Sequence, residues 1–471
     1  MVTKAIKCLM VTLLSMFFVQ CSNDNDMESN QNNWKESQLT SGKGGHLLNP
    51  VQSFSPKDEY LVYDVRNVGG DIGATPRIER VNIATREVEV VYETPGQTTY
   101  GPGVGAVAYH PHEDMVLFIH GLLNCDESRP YGFTRRTGVA VDMNHPSQGI
   151  WMDARDVTPP FTVGAMRGGS HAHSWSGDGK WVTYTYNDDV MGQLAEKDST
   201  VGNLRFIAVM APWGAVEVDA DAEGENNSGT MFNMAVARVT ENPKPGSDEI
   251  EKAYEDGWIG QNGYVKSNGE QQKYAVAFLG DLRDEAGNLF TEVFVVDLPE
   301  EMPDLSNEQQ LAGTAVSRPL PLKSVVQRRV THSEDRKYPG VQGPRQWMKS
   351  SPDGKWLYFM MKDDEGRVQI YGVPTVGGEI VQMTFNDFSI DTSFDLHPAG
   401  GVLAYGSDEK VYITDLNNHE THCLTENIAD HYQELHGIQW SRSGKALAYN
   451  RAVVEDGKPY YQIFLLTSDE E

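Results

Sequence analysis

The sequence predicts an all-β chain folded as a seven-bladed propeller, and three observations carry that prediction: a recurring hairpin, a regular spacing between its copies, and an N-terminal segment that looks like a missing last strand. The hairpin appears at residues 54–63 (FSPKDEYLVY), 109–118 (YHPHEDMVLF), 175–184 (WSGDGKWVTY), 350–359 (SSPDGKWLYF), 396–405 (LHPAGGVLAY) and 440–449 (WSRSGKALAY). Each copy reads as a strand end, a polar turn rich in Pro, Gly and Asp, and a second strand of alternating aromatic and β-branched residues. Third strands ending in aspartate follow at 294–297 and 411–415, and short fourth strands at 379–385 and 421–425. Four strands in a unit of about 45 residues is the size of a propeller blade.

Turn positions 56, 111, 177, 352, 398 and 442 leave one gap of 175 residues, which must hide a further blade with a long insertion. Its inner strand is expected at 231–239, an insertion with a short helix (248–254) at 240–271, and its next strands at 274–280 and 291–298. The last blade shows only three strands before the chain stops. Its fourth is expected from 36–41 (ESQLTS), which resembles the other outer strands. Such closure removes two exposed sheet edges.

Ahead of the propeller, Lys4 and Lys7 precede an apolar run too short to span a bilayer, so residues 1–20 read as a secretory leader. The following Phe18-Val19-Gln20-Cys21 resembles a bacterial lipobox, with Cys21 as the lipidated residue, and 21–33 reads as a polar, acidic tether. This pattern is similar to the export signal of surface lipoproteins in Bacteroidetes. It implies an outer-membrane lipoprotein, facing the cell surface or the periplasm, whose membrane attachment is the lipid anchor. With 39 Lys and Arg against 67 Asp and Glu, the formal charge of −28 argues against nucleic acid as a partner. Beyond Cys8 and Cys21 only Cys125 and Cys423 remain, expected as buried thiols rather than a disulfide framework.

The SPDGK-type hairpins resemble the TolB-like propeller repeat over residues 45–470. More specifically, HLLNP (46–50), RIERVNI (77–83), RGGSHAH (167–173), YTYND (184–188), PGSDEI (245–250), AYEDGW (253–258), VVQRR (325–329) and YPG (338–340) resemble the bacterial YidR-type proteins. That resemblance implies a propeller without implying an activity. A more distant architectural resemblance is to oligogalacturonate lyase, a seven-bladed propeller that holds a divalent metal with three His and one Gln at its channel mouth. This chain departs from that pattern at Gly168 and Ile438, where a Gln and a second His would be expected.

Registering the blades on their turns gives, six residues earlier, Pro50, Gly105, His171, Gln346, Thr392 and His436 near the axis; one step before come Asn49, Val104, Ser170, Arg345, Asp391 and Leu435. His173 should share a strand face with His171. His171, His173, Gln346 and His436 are therefore candidate ligands for manganese, zinc or iron, the alternative being a polar lining of a water-filled channel. A basic stretch in this acidic chain contains Arg328, Arg329, Arg336, Lys337 and Arg345, Arg167 precedes the His pair, and Arg135-Arg136 lies in another long loop. Arginine suits planar capture of carboxylates, so Arg167, Arg328 and Arg329, with Asp391, are candidate ligand-binding residues; the alternative is salt bridging to acids such as Glu334 and Asp335.

Two functions follow. The first is a monomeric binding platform for a glycan, neutral or anionic, or a protein partner of the cell envelope. The second, implied by the lyase resemblance, is β-elimination of uronate-containing oligosaccharides, with a metal and Arg345 on the carboxylate and His332 or Lys337 as base. Asp391 and Glu434 are a further acid pair, suited to hydrolysis. The spacings His110-Pro111-His112 and His419-x-x-His422 fall in turns and are read as solvated.

Overall fold

The second and third strands of each repeat are nearly continuous in apolar and small residues, the pattern expected of strands covered on both faces. The computed structural model bears this out: Val116, Leu117, Phe118 and Ile119, or Phe206 through Ala211, are fully buried between neighbouring sheets. It describes residues 34–146, 148–425 and 432–468; the leader, Cys21 and the tether lie outside the described residues.

Seven radial sheets form a seven-bladed propeller. Blade 1 pairs Tyr60–Asp64, Arg77–Asn82 and Val88–Glu93, with an inner segment tied on by bridges at Leu47 and Phe54. Blade 2 runs Val104–Tyr109, Met115–Gly121, Arg136–Asp142 and Ile150–Trp151; blade 3 runs Gly168–Trp175, Val182–Asp188, Phe206–Ala211 and Phe232–Ala235. Blades 5 and 6 begin at Lys349–Ser350 and Asp395–Leu396 and end at Val381–Gln382 and Thr421–Cys423. Blade 7 contains Tyr432–Trp440, Ala446–Glu455 and Lys458–Ser468, and its outer strand is Trp34–Gln38, antiparallel to Phe464–Ser468. The closing strand sits two residues earlier than the sequence suggested. Glu36 anchors it, accepting from Tyr449 Oη and from Arg451 Nε, the latter at 3.1 Å.

The hidden blade is blade 4, and its inner strand corrects the sequence reading. Residues 232–235 are the outer strand of blade 3, whereas the inner strand of blade 4 is Ile250–Trp258, across the segment expected as an insertion helix. Its partners are Tyr274–Arg283, Leu289–Leu298 and Gln327–Arg329. The burial pattern explains the misreading: two register shifts break its alternation, so the apolar residues recur at a helix-like spacing. Blade 4 does carry an inserted hairpin, Tyr264–Val265 with Gln271–Gln272. Among the described residues the one α-helix, Asp189–Ala195, leaves blade 3 under an Asp188 cap. Trp181, Trp258 and Tyr274 pack edge-on or tilted at the seam of blades 3 and 4, as expected of tryptophans between blades. Cys125 and Cys423 are free but only partly buried.

Candidate functional site

Inner strands start around one mouth of the axial channel, and bulges decide which side chains reach it. In four blades a residue with positive φ stands three positions before the aromatic that ends the strand: Ala106 (53°), Ala172 (57°), Glu255 (54°) and Gly437 (69°). Strand pairing slips at each of them. A bulge adds one residue and turns the in-out alternation over. His171, just before the blade 3 bulge, therefore lines the mouth, while His173, just after it, faces inward. His173 is fully buried, with Nε2 at 2.9 Å from Ser170 Oγ and its ring against Tyr184. Blade 5 has no such bulge, so the same count from its turn lands on the opposite face. Gln346 is buried and accepts the Met360 N–H at 2.8 Å, while its neighbours Arg345 and Trp347 line the mouth. The expectation that His171, His173, Gln346 and His436 converge is thus corrected; only His171 and His436 share the cavity.

That cavity, about 250 Å³, is lined by Arg66, His171, Arg345, Asp391, Glu434 and His436 among others. Asp64 sets Arg66 with two 2.7 Å hydrogen bonds and also accepts the N–H of the bulge residue Ala106 at 2.8 Å. Arg345 lies 4.6 Å over the Trp347 ring, with Glu255 as its nearest carboxylate at 3.7 Å. Two more arginines come from third strands. Arg136 opens that of blade 2 and donates to Tyr131 Oη at 3.3 Å, leaving Nε with no partner; Arg205 directly precedes that of blade 3 and donates to Asn187 Oδ1 at 3.2 Å. Among the described residues neither has a carboxylate within 4 Å.

These positive groups disfavour one another's charged forms. Burial lowers the pKa of Arg205, and Arg136 and Arg345 lower it further against the pull of Glu255; desolvation lowers Arg345 too, opposed first by Glu255, with Arg66 and Arg136 adding smaller decreases. His171 is held well below the ordinary imidazole range, first by burial and then by Arg136, Arg345 and Arg205. His436 is lowered by burial against the pull of Glu434. Both imidazoles are therefore neutral at pH 7. Glu255 is pushed up to about 7 by burial, although the Gln346 N–H, Arg345 and Lys252 favour its charged form.

A divalent cation does not fit this arrangement. Two of the four expected ligands are engaged elsewhere, His171 feels only positive neighbours, and among the described residues no three His, Cys, Asp or Glu side chains converge in a ligating cluster. The side of the mouth formed by blades 2, 3 and 5 suits an anion instead.

The other predicted residues have structural partners. Arg167 is fully buried, paired with Asp188 at 2.7 Å and donating to the Ser317 carbonyl. Arg328 and Arg329 sit on the outer strand of blade 4, far along the chain path from the axis; Arg328 donates to Tyr264 Oη, and Arg329 to Glu292 and Glu334. His332 and Lys337 are exposed on the loop that follows, with Lys337 Nζ 2.7 Å from the Asp364 carbonyl, and neither lines the mouth. Asp391 and Glu434 do line it, capping the Asp408 N–H and accepting from Tyr461 Oη. His110 is not solvated as expected: it is buried, with Nε2 at 3.0 Å from the Gly179 carbonyl, joining blades 2 and 3.

An uncharacterized protein of Escherichia coli strain K12, YidR, is 38% identical to this chain over 416 residues, covering 88% of this chain and 94% of its own length. The chain belongs to the YidR family. A family of unknown function, DUF3748, matches residues 103–225, which in this YidR-family chain carry blade 2, most of blade 3 and both Arg136 and Arg205. Among solved structures, an oligogalacturonate lyase in complex with manganese aligns at 12% identity and a TM-score of 0.51, covering 94% of this chain and 95% of that one. The oligogalacturonate lyase of Vibrio parahaemolyticus aligns at 11% identity and a TM-score of 0.49, covering 93% and 94%. These likenesses concern the fold.

Sequence reasoning missed Arg66, Arg205 and Glu255, and gave Arg136 no place in the channel. The signal for two of them was present: RTGVAVD and RFIAVMA are third strands headed by arginine at matching positions. Comparing only inner strands hid it.

Proposed function

We propose that this chain is an exported lipoprotein, anchored through Cys21, whose propeller binds an anionic glycan at the arginine-lined mouth of its channel. The observation that carries this reading is Arg136 and Arg205, which have no carboxylate within 4 Å, grouped with Arg345 around neutral His171 in a chain of net charge −28. Arg136 is buried with no carboxylate beside it, which is costly, and a ligand carboxylate would relieve that cost with bidentate hydrogen bonds. The fold shared with a lyase named for oligogalacturonate makes a uronate oligosaccharide the first candidate. Calorimetric titration with oligogalacturonate and with a neutral oligosaccharide of equal length tests this: binding only of the acidic one, weakened by salt and by Arg345→Gln, is expected. Equal binding of both, or of neither, would overturn the reading.

Glu255 favours a second reading, metal-independent β-elimination. With a pKa of about 7 beside Arg345, it has the acidity of a general base at neutral pH. Arg345 would hold the uronate carboxylate and Glu255 would take the proton from the adjacent ring carbon. A carbon–carbon double bond then forms as the glycosidic bond breaks, and the departing oxygen gains a proton from water. Ultraviolet absorbance of an unsaturated product that persists in chelator and is lost in Glu255→Gln is expected; its absence with the native protein would leave binding alone.

A further inference from the structure

A second cavity, about 960 Å³, opens beside the mouth along the seam of blades 3 and 4. Arg205 lines it and donates to Asn187, whose strand partner Gly169 stands two residues from His171 of the mouth. The other charges of the groove are already matched: Arg283 with Glu251 at 2.7 Å, Lys252 with Asp281 at 3.9 Å, and Glu241 with Arg318. Arg205 alone among them lacks a carboxylate, and the remaining wall is uncharged, mixing Asn187, Thr200 and Asn203 with Val201 and Leu204.

At the end nearer the mouth stands Phe133, half exposed. A single exposed phenylalanine is ordinary, but this one is placed with care. Its carbonyl packs so closely on Gly169 that a Cβ there would lie 2.2 Å away, and Gly169 is two residues from His171 on the same strand. Arg135 ties down its loop by bonding Asn124 and Glu225, the latter at 2.9 Å. A rigid aromatic face beside amide and hydroxyl groups and a guanidinium without a carboxylate is an arrangement suited to a sugar chain, whose rings offer apolar faces and whose edges offer hydroxyls.

We infer that the ligand is an oligomer rather than a single sugar, with one acidic residue held in the axial mouth and its continuation lying in the blade 3–blade 4 groove, stacked on Phe133 and steered by Arg205. This inference rests on the reading of the mouth as an anion site.

The test compares galacturonate with its pentamer as titrants of the full mature chain. The native protein should bind the pentamer about tenfold or more tightly than the monomer, a stacking-sized gain. Phe133→Ala and Arg205→Gln should each collapse most of that gap, Phe133→Trp should keep it, and Arg345→Gln should weaken both titrants. Unfolding curves matching the native protein confirm that each variant is folded. Equal affinities in the native protein, or a gap untouched by Phe133→Ala, would overturn the groove while leaving the mouth standing. Binding of neither titrant by the native protein would overturn the mouth and the groove together.

Discussion

Arg167 and Arg136 are both buried, both sit where blades 2 and 3 meet the channel side, and were equally conspicuous in the sequence, yet their surroundings are opposite. Arg167 bonds both a buried aspartate and backbone carbonyls, under a stack with Phe161. Arg136 has one long bond to a phenol and an Nε with nothing. The first side chain is consumed by the fold; the second has bonding capacity left over. Position near an axis does not distinguish a structural arginine from a ligand-binding one, whereas the state of its hydrogen bonds does.

The comparison is broken most directly at Arg167. Arg167→Met would leave Asp188, itself raised in pKa by burial, without its counter-charge while it still caps the helix at Asp189–Ala195. A loss of about 3–5 kcal/mol in urea unfolding is expected, with no change in anion selectivity in the folded fraction. A loss under about 1 kcal/mol would show that the pair is not what holds this corner.

Asp256 is the acidic counterpart of Arg136, a buried group without a partner of ordinary geometry, one residue past the blade 4 bulge. Burial pushes its carboxyl up to about 7, with Thr183 nearest. The folded state then holds this proton more tightly than the unfolded chain does. Stability should fall as pH rises from about 4 to about 7 and level off above. Asp256→Asn should therefore match the native protein near pH 4 and exceed it above pH 7, by on the order of 4 kcal/mol. Equal midpoints at pH 8 would refute the shift.

Arg136→Met tests the other arm. It removes a buried charge that no carboxylate offsets, so stability should hold or rise by about 1 kcal/mol while affinity for an acidic oligosaccharide drops about tenfold. Destabilisation comparable to that of Arg167→Met would erase the distinction between the two arginines.

The fold was legible because propeller strands repeat: six hairpins, their spacing and the closing strand all lie in the pattern of apolar residues and turns. The site was legible only in part, for a local reason. Bulges at Ala172 and Gly437 carry no sequence mark that survives counting from the turn, yet each reverses the facing of every residue beyond it. His171 and His436 line the mouth because both lie just before a bulge, and Gln346 does not because blade 5 has none. Glu255 was lost with its strand, whose double slip imitates a helical period. Arg329 looked like part of a basic mouth because sequence shows charge but not pairing, and Glu292 and Glu334 come from different elements to neutralise it.

The smallest effect should come from Glu255, and it separates the two kinds of arginine by pH alone. The charged groups around this carboxyl are Arg345, Lys252, Arg205 and Asp281, with Tyr254 beside it, and burial raises its pKa to about 7 against the pull of Arg345 and Lys252. Above pH 7 the carboxylate competes for Arg345 and repels an incoming anion; below pH 7 it is neutral and Arg345 is free to bind. Affinity for an acidic glycan should therefore fall by a factor of about three between pH 6 and pH 8, about 0.6 kcal/mol, as expected for a partly exposed pair at 3.7 Å. Glu255→Gln should flatten that profile at its low-pH level. A native profile that is already flat would mean that Arg345 is not shared between Glu255 and the ligand, and that the anion is held by Arg136 and Arg205 without it.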